Sequence, residues 1–313
     1  MSNTQNVAEG AMLARSDDRV GQFCMLISMV IAGTIGYFVV NSKQSPLNVV
    51  FFRCTIGGAG LVVYCLKRGF FRAIRLSTRQ KCTLIAGGLT LVFNWYFLFT
   101  AYRLTSIGVT TVVYHFQPFL LLLAGFVFLK ERPSASSVAW LLVAFAGLVM
   151  IAEPGSERLG ASYMLGVASA LVAAVLYAAT TLLTKTLSGS IRPEPIAASH
   201  MIIGALVFSL LADFQHLPGS PVELYSVLTL GVFHTTLMYV LLYTAFTKAR
   251  TTSIAVLSFA YPLVAVMVDY FAFAKSMGPI QTLGGVLILL AGLAYTNRVR
   301  VPFLTVKKVA QAR

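Results

Sequence analysis

The feature that most constrains this chain is a series of apolar stretches, each about 20 residues long, separated by short polar breaks. A helix needs about 20 mostly apolar residues to cross the hydrocarbon core of a bilayer. Ten such stretches are legible, at about 20–40, 46–66, 83–102, 106–128, 135–152, 160–184, 196–214, 225–246, 252–273 and 279–296. The breaks carry Pro, Gly or Ser, as in Ser45-Pro46, Arg132-Pro133-Ser134, Glu153-Pro154-Gly155 and Gly278-Pro279, residues that punctuate helices. Only 11% of the 313 residues are charged, against about 25% in an average soluble domain, so a water-facing coat cannot be assembled. The expectation is an all-α integral membrane protein of ten transmembrane helices with no soluble domain.

The net charge of +14 would fit nucleic-acid binding, but the placement of the charges argues for topology. With a cytoplasmic N-terminus, nineteen of the 24 basic residues fall on the inside. They are Arg15 and Arg19, then Lys67, Arg68, Arg72, Arg75, Arg79 and Lys81, then the loop pairs Lys130/Arg132, Lys185/Arg192 and Lys248/Arg250, and last Arg298, Arg300, Lys307, Lys308 and Arg313. Lys43, Arg103, Arg158 and Lys275 fall outside, and Arg53 alone lies within a span. By the positive-inside rule both termini face the cytoplasm, residues 1–19 as a polar tail and 299–313 as a basic one. The bilayer is then the expected partner, and nucleic acid is not. The first 19 residues lack an apolar core and small-residue cleavage site, so no removable signal peptide is expected. Cys24, Cys54, Cys65 and Cys82 form no C-x-x-C pair and have no neighbouring His cluster. Neither a metal nor a disulfide framework is expected, nor any other cofactor. No G-x-x-x-x-G-K-[ST] loop occurs, which disfavours an ATP-driven pump.

Two segments resemble each other when their prolines are superimposed: A-Y-R-L-T-S-I-G-V-T-T-V-V-Y-H-F-Q-P, ending at Pro118, and A-F-T-K-A-R-T-T-S-I-A-V-L-S-F-A-Y-P, ending at Pro262. Each leads into an apolar half-span, a break and a closing helix containing Ala-Gly-Leu (146–148 and 291–293). The chain divides into five-helix halves at 20–153 and 154–298. Five is odd, so the second half enters the membrane from the opposite side. Inverted repeats of this kind place a transporter's substrate site near the midplane, where the halves meet.

The pattern Y-x-L-T-S-I-G-V-T-T, a span with a central Pro, F-L-K-E-R-P-S and a Gly-rich closing helix together resemble the EamA family of the drug/metabolite transporter superfamily. N-V-V-F-F-R-C (Asn48 to Cys54) and the small-residue sixth span G-V-A-S-A-L-V-A-A-V-L-Y-A-A are similar to that family as well. The resemblance covers about 20–298. It implies ten helices in two EamA repeats, and transport of small metabolites such as amino acids and related compounds. It also implies a multi-pass protein of a bacterial inner membrane, monomeric or homodimeric. One departure stands out: Glu131 has no acidic counterpart in the second half, where the Lys275 region takes its place.

Ionisable groups inside a span cost roughly 2.5–3.5 kcal/mol each on insertion scales and face a cavity or a partner. Arg53 lies ~12 Å along span two. It either grips a substrate carboxylate through a bidentate pair, or bonds backbone carbonyls or snorkels to headgroups. Asp269 is the only acid placed within a span, a proton-coupling candidate or a partner for water or Lys275. His115 and His234 titrate near neutral pH in water. Each is a candidate to carry a proton or touch substrate, or else an interhelical hydrogen-bond partner.

Thr110, Tyr114 and Gln117 share one face of span four by their spacing. On the proline alignment their counterparts are Ile254, Ser258 and Tyr261 of span nine. His115 points about 100° away from Tyr114 and ranks second. Thr90, Asn94 and Phe97 share a face of span three, and Thr90 matches His234. Tyr37 and Tyr177 sit at comparable depths in spans one and six. Such faces in both halves would wall a central cavity suited to a small zwitterion or amphiphile, held by stacking, cation–π contact and a few hydrogen bonds. The plainer reading is helix packing with Ser and Thr as glue. Pro118 and Pro262 lie mid-span, where each removes a backbone bond, as a hinge or as a static kink. Trp95 and Trp140 fit an interfacial belt or a lipid-facing position.

The leading expectation is a secondary transporter, not an enzyme, that exports amino acids or related metabolites by alternating access. A nucleoside-like or sulfonium metabolite such as S-adenosylmethionine is the second substrate class. An intramembrane lipid-modifying enzyme would need a nucleophile and base, or clustered acids, that the spans lack. A channel would need a charged or carbonyl-lined ring.

Overall fold

A helix that is apolar all round buries no preferred stripe in water, and chains of such helices fold within lipid. The computed structural model describes residues 2–72, 74–105, 110, 113–152, 160–273 and 278–299, leaving aside the side chains of 2–16, 102, 103, 152, 266, 269 and 273. These residues form helices and, among the described residues, no strand. In order they are α1 (Ser2–Gly33), α2 (Ile35–Ser42), α3 (Pro46–Phe52), a π-helical turn (Arg53–Gly57), α4 (Gly58–Lys67), α5 (Thr78–Leu104), α6 (Gln117–Leu129) and α7 (Ala135–Ala152). They continue with α8 (Ala161–Thr186), α9 (Pro193–Phe208), α10 (Pro221–Gly231), a second π turn (Val232–Leu237), α11 (Met238–Lys248), α12 (Thr251–Leu257), α13 (Ala260–Phe273) and α14 (Pro279–Thr296).

Seven helical stretches are long and apolar enough to cross a membrane: 17–42, 46–67, 78–101, 161–186, 221–248, 251–272 and 279–296. Three shorter apolar helices accompany them, at 117–129, 135–151 and 193–208. The surface confirms the solvent. Phe93, Phe126, Phe128, Leu206 and Leu290 face outward, while Asn94, His200, His234 and Thr181 are fully buried. That inversion suits lipid, which offers apolar groups nothing to flee and polar groups nothing to bond. The protein is an integral, multi-pass membrane protein.

Local chemistry sets the helix starts. Ser45, Ser77 and Ser220 cap α3, α5 and α10 with their hydroxyls, and Pro46, Pro193, Pro221 and Pro279 occupy first-turn positions where no amide is needed. The segment expected as a polar tail over 1–19 is helical from Ser2 as part of α1. Two helix boundaries differ from the expected ones. The seventh apolar stretch ends its helix at Phe208 rather than 214, because the exposed Leu210 and Leu211 extend the hydropathy beyond the helix. The next helix begins at the Ser220-Pro221 cap rather than at 225.

Small residues bring helices together. α5 packs along α8, and α7 along α14. In the second pair Gly147 and Gly284 face each other so closely that a Cβ on either would come within 2.5 Å of the other's carbonyl oxygen. Trp95 is buried against Phe208 and not in an interfacial belt, since α5 turns it inward to the main core. Trp140 donates its indole N–H to the Val299 carbonyl at 3.1 Å.

The connection between α9 and α10 is tied down by Asn48, which is buried at the start of α3. Its amide nitrogen donates to the Asp213 carbonyl at 2.8 Å, and its oxygen accepts from the Asp213 amide at 2.7 Å. Hydrogen bonds from the His216 imidazole and the Gln215 amide hold the exposed Asp213 carboxyl below the usual carboxylate range. Asn48→Ala strands both backbone groups of Asp213, a loss of about 1–3 kcal/mol. A lowered melting temperature of the purified protein, with new proteolytic cleavage confined to 209–220, is the expected outcome; an unchanged protein would show the clamp to be idle.

Candidate functional site

The two π turns lie against each other. A π turn widens the helix by one residue, and such turns recur at functional sites. Here glycines allow the approach: a Cβ on Gly57 would strike the Thr235 side chain, and one on Gly231 would come within 2.5 Å of Ile56. The Thr236 hydroxyl donates across the contact to the Gly57 carbonyl at 3.1 Å. Arg53 bonds in the other direction. Its Nε donates to the Thr235 hydroxyl and an Nη to the His234 carbonyl, both at 3.2 Å. Its guanidinium carbon stands 6.0 Å from the centroid of the Trp95 ring, within cation–π range. Arg53 thus forms the backbone-carbonyl bond that was one of its readings; among the described residues no carboxylate pairs with it.

The His234 ring continues this line. Nε2 lies 2.7 Å from the Thr34 hydroxyl and Nδ1 3.3 Å from the Thr229 carbonyl. Thr34 also reaches the Ile31 carbonyl at 2.8 Å, and a hydroxyl has one proton to give. With that proton on Ile31 and the ring neutral, Nε2–H is the donor to Thr34, and Nδ1, then without a proton, makes no hydrogen bond to the Thr229 carbonyl.

Thr34 is where the first span breaks, between α1 and α2. Just before it, Gly33 sits so close to Val264 of α13 that a Cβ would come within 2.5 Å of the valine Cβ. Beyond the break the two helices part around a cavity of about 480 Å³. Its walls are Val30, Thr34, Tyr37 and Phe38 on one side and Val264, Met267, Val268, Phe271 and Ala272 on the other. They are apolar but for the hydroxyls of Thr34 and Tyr37. A ligand there would meet aromatic and aliphatic surface, with the Thr34–His234 pair as a polar point.

A second group gathers deeper in the bundle. Asn94 donates to the Ala173 carbonyl at 2.7 Å and meets the Tyr114 hydroxyl at 3.3 Å. Tyr114 packs edge-on against Tyr177, with ring centroids 6.0 Å apart. His115 is buried and stacks on Tyr261 with 5° between the ring planes. The structure therefore joins Asn94, Tyr114 and Tyr177, and places His115 beside Tyr261 although it leaves the Tyr114 face. Among the described residues the other candidates make different contacts. Thr110 bonds Thr105 at 2.7 Å, and Ser258 bonds its own Ala255 carbonyl at 2.8 Å. Gln117 is buried, and among the described residues its Oε1 has no hydrogen-bond partner. Tyr37 lies at the cavity, and Tyr177 at Tyr114. The side chain of Asp269, together with Lys275 and Arg158, falls outside the described residues.

Helix geometry breaks before each mid-span proline. Residues 115–116 and 258–259 are turns rather than helix. Pro118 and Pro262 have no amide for the Tyr114 and Ser258 carbonyls, so shorter bonds such as Phe116 to Val113 at 3.1 Å and Phe259 to Val256 at 3.3 Å take over.

Two residues escaped the sequence reading. Thr34 could have been found from its setting, Gly33-Thr34-Ile35-Gly36, a polar residue between two glycines inside a span. His200, buried and bonded through Nδ1 to the Tyr243 hydroxyl at 2.7 Å, carried the same signal as His115 and His234: an imidazole inside an apolar stretch.

Comparison with known proteins places this architecture. The model of the EamA-like transporter family matches twice, over residues 19–152 and 164–296. An uncharacterized transporter of Bacillus subtilis (strain 168), YxxF, is 33% identical over 278 residues, 87% of this chain and 88% of the relative. An uncharacterized transporter of Archaeoglobus fulgidus is 24% identical over 87% of this chain and 95% of its own length. A riboflavin transporter of Rhizobium johnstonii is 34% identical, but over only 87 residues, 28% of each chain. A solved crystal structure, 19% identical, shares the fold with a TM-score of 0.79 over 90% of this chain and 98% of that one. Matched by the family model along both halves, this chain belongs to the EamA-like transporter family.

Proposed function

We propose that this protein is a secondary transporter that moves a small metabolite by alternating access. The observation that carries the proposal is the cavity between α2 and α13, open beyond Gly33 and based on the Thr34–His234 pair. In this reading the chain crosses a bacterial inner membrane ten times, as two inverted five-helix repeats with both termini cytoplasmic. It acts as a monomer or homodimer, and the breaks before Pro118 and Pro262 serve as hinges. The relatives named transporters support a carrier rather than an enzyme.

The substrate class favoured is amino acids or related compounds, moved outward. Aromatic and aliphatic walls suit a metabolite with an apolar side. Arg53 is not one of the wall residues; it bonds the carbonyl of His234, whose ring meets Thr34 of the wall, and it is the cation proposed to meet the acid group. A second reading, a nucleoside-like or sulfonium metabolite, draws on the abundance of ring surface at Tyr37, Phe38 and Phe271. It also draws on the partial likeness to a riboflavin transporter.

Purified protein in liposomes, given a panel from both classes, is expected to show saturable uptake and counterflow of its substrate. Flux rising linearly without limit would point to a channel instead. Arg53→Gln is expected to weaken a carboxylated substrate at least tenfold, a loss of about 1.4 kcal/mol or more, and to spare its decarboxylated analogue. Equal loss for the two would leave Arg53 a structural link to His234 alone.

A further inference from the structure

The connections 130–134, 187–192 and 249–250 are tied together by charged groups that do not line the cavity. Glu131, just beyond α6, reaches the start of α12. One carboxylate oxygen accepts from the Thr251 amide at 3.0 Å and from the Thr251 hydroxyl. The other lies 3.7 Å from the Lys185 ammonium at the end of α8, and Lys185 also donates to the Ala249 carbonyl. Asp18 of α1 takes the neighbouring groups, accepting from the Arg250 amide at 3.1 Å and the Ser253 hydroxyl at 3.3 Å. Beneath these bonds the chain is in tight contact: a Cβ on Gly21 would come within 2.5 Å of the Ala249 nitrogen, and one on Gly125 would strike Thr251.

α12 is seven residues long and is separated from α13 by the turn at 258–259. It is thus a short rod with a break at one end and two carboxylates, brought by different elements, at the other. The cavity opens at the opposite, Phe271 end of the following helix. The carboxylate bonds therefore lie at one end of α12 and α13, and the cavity at the other.

We propose that Glu131 is the latch of the shut end: its carboxylate, held between Lys185 and Thr251, keeps α12 seated, and α12 swings about the 258–259 break when the latch lets go. The inference rests on the alternating-access reading. It also accounts for an acid of the first repeat that has no acidic counterpart in the second half, since it needs a partner only at the end it closes. The Glu131 and Lys185 side chains are 17% and 15% exposed, and removing one partner from so dry a pair strands the other charge. The Asp17–Lys248 pair at the same end is 57% and 42% exposed and holds little.

Native cysteines report the motion. Cys24 is buried one helical turn beyond Gly21, on the face of α1 that meets Ala249. Cys54 and Cys65 are buried in the core, and Cys82 is exposed. The test is labelling of the full-length protein in lipid nanodiscs with a hydrophilic maleimide, resolved cysteine by cysteine by mass spectrometry. Glu131→Gln and Thr251→Val are expected to raise the Cys24 rate about tenfold, the factor that about 1.4 kcal/mol of lost closure gives. Glu131→Asp should fall between wild type and Glu131→Gln, Asp17→Asn should match wild type, and Cys54 and Cys65 should stay protected throughout. An unchanged Cys24 rate in both Glu131→Gln and Thr251→Val overturns the latch. So does labelling of Cys65 in step with Cys24, which reports unfolding. If Cys24 responds as expected while no metabolite shows counterflow in liposomes, the latch stands and the transport reading falls.

Discussion

A charged or hydrogen-bonding group in hydrocarbon has to find its partner in the protein, because nothing else there will bond it. The contact between the two π turns is where this constraint is felt most. Arg53 could not stay in the second span without acceptors, and the wide turn at 232–237 supplies them in the His234 carbonyl and the Thr235 hydroxyl. Fixing the His234 backbone fixes its ring, the ring holds Thr34, and Thr34 is the point at which the first span breaks and leaves α13. The cavity wall is the last member of a chain of polar satisfaction that begins at one arginine.

The two ends of the bundle are held by different physics. Glycine against alanine, and glycine against threonine, bring the backbones of α1, α6 and the start of α12 into contact at the basic end, and carboxylates reach the amides there. At the cavity end a Cβ on Gly36 would meet none of the described residues beyond its own helix within 4 Å, and the lining is apolar side chains that slide more readily than hydrogen bonds break. Two arrangements of unequal grip at opposite ends are what a molecule needs if closing one is to accompany opening the other.

Much of the deeper aromatic group could be read from the chain. Spacing on spans three and four brought Asn94 and Tyr114 to facing surfaces, and Tyr177, singled out for its depth in span six, packs against Tyr114. What failed was the assumption of unbroken helix geometry through the prolines. A turn at 115–116 uncouples Gln117 from the face of Tyr114, and it delivers His115 to Tyr261 although the 100° rule points it away. Ser258 falls at the matching turn and bonds its own backbone. Trp95 illustrates a second blind spot, since hydropathy reports that a helix meets apolar surroundings but not which side of it is lipid and which is protein.

Membrane residence, the helical class, the positions of most helix starts and the family resemblance follow from the amino-acid sequence alone. They depend on quantities local to a stretch of chain: the apolarity of about 20 successive residues, a serine or proline at a helix start, the side on which lysine and arginine accumulate. The partners of the polar side chains were decided by the tertiary structure. Arg53 and His234 are 181 positions apart, Glu131 and Thr251 120 apart, and each pair meets only because glycines set how closely, and in what register, two helices cross. Composition determines that a buried arginine must be satisfied; the crossing of the helices decides by what.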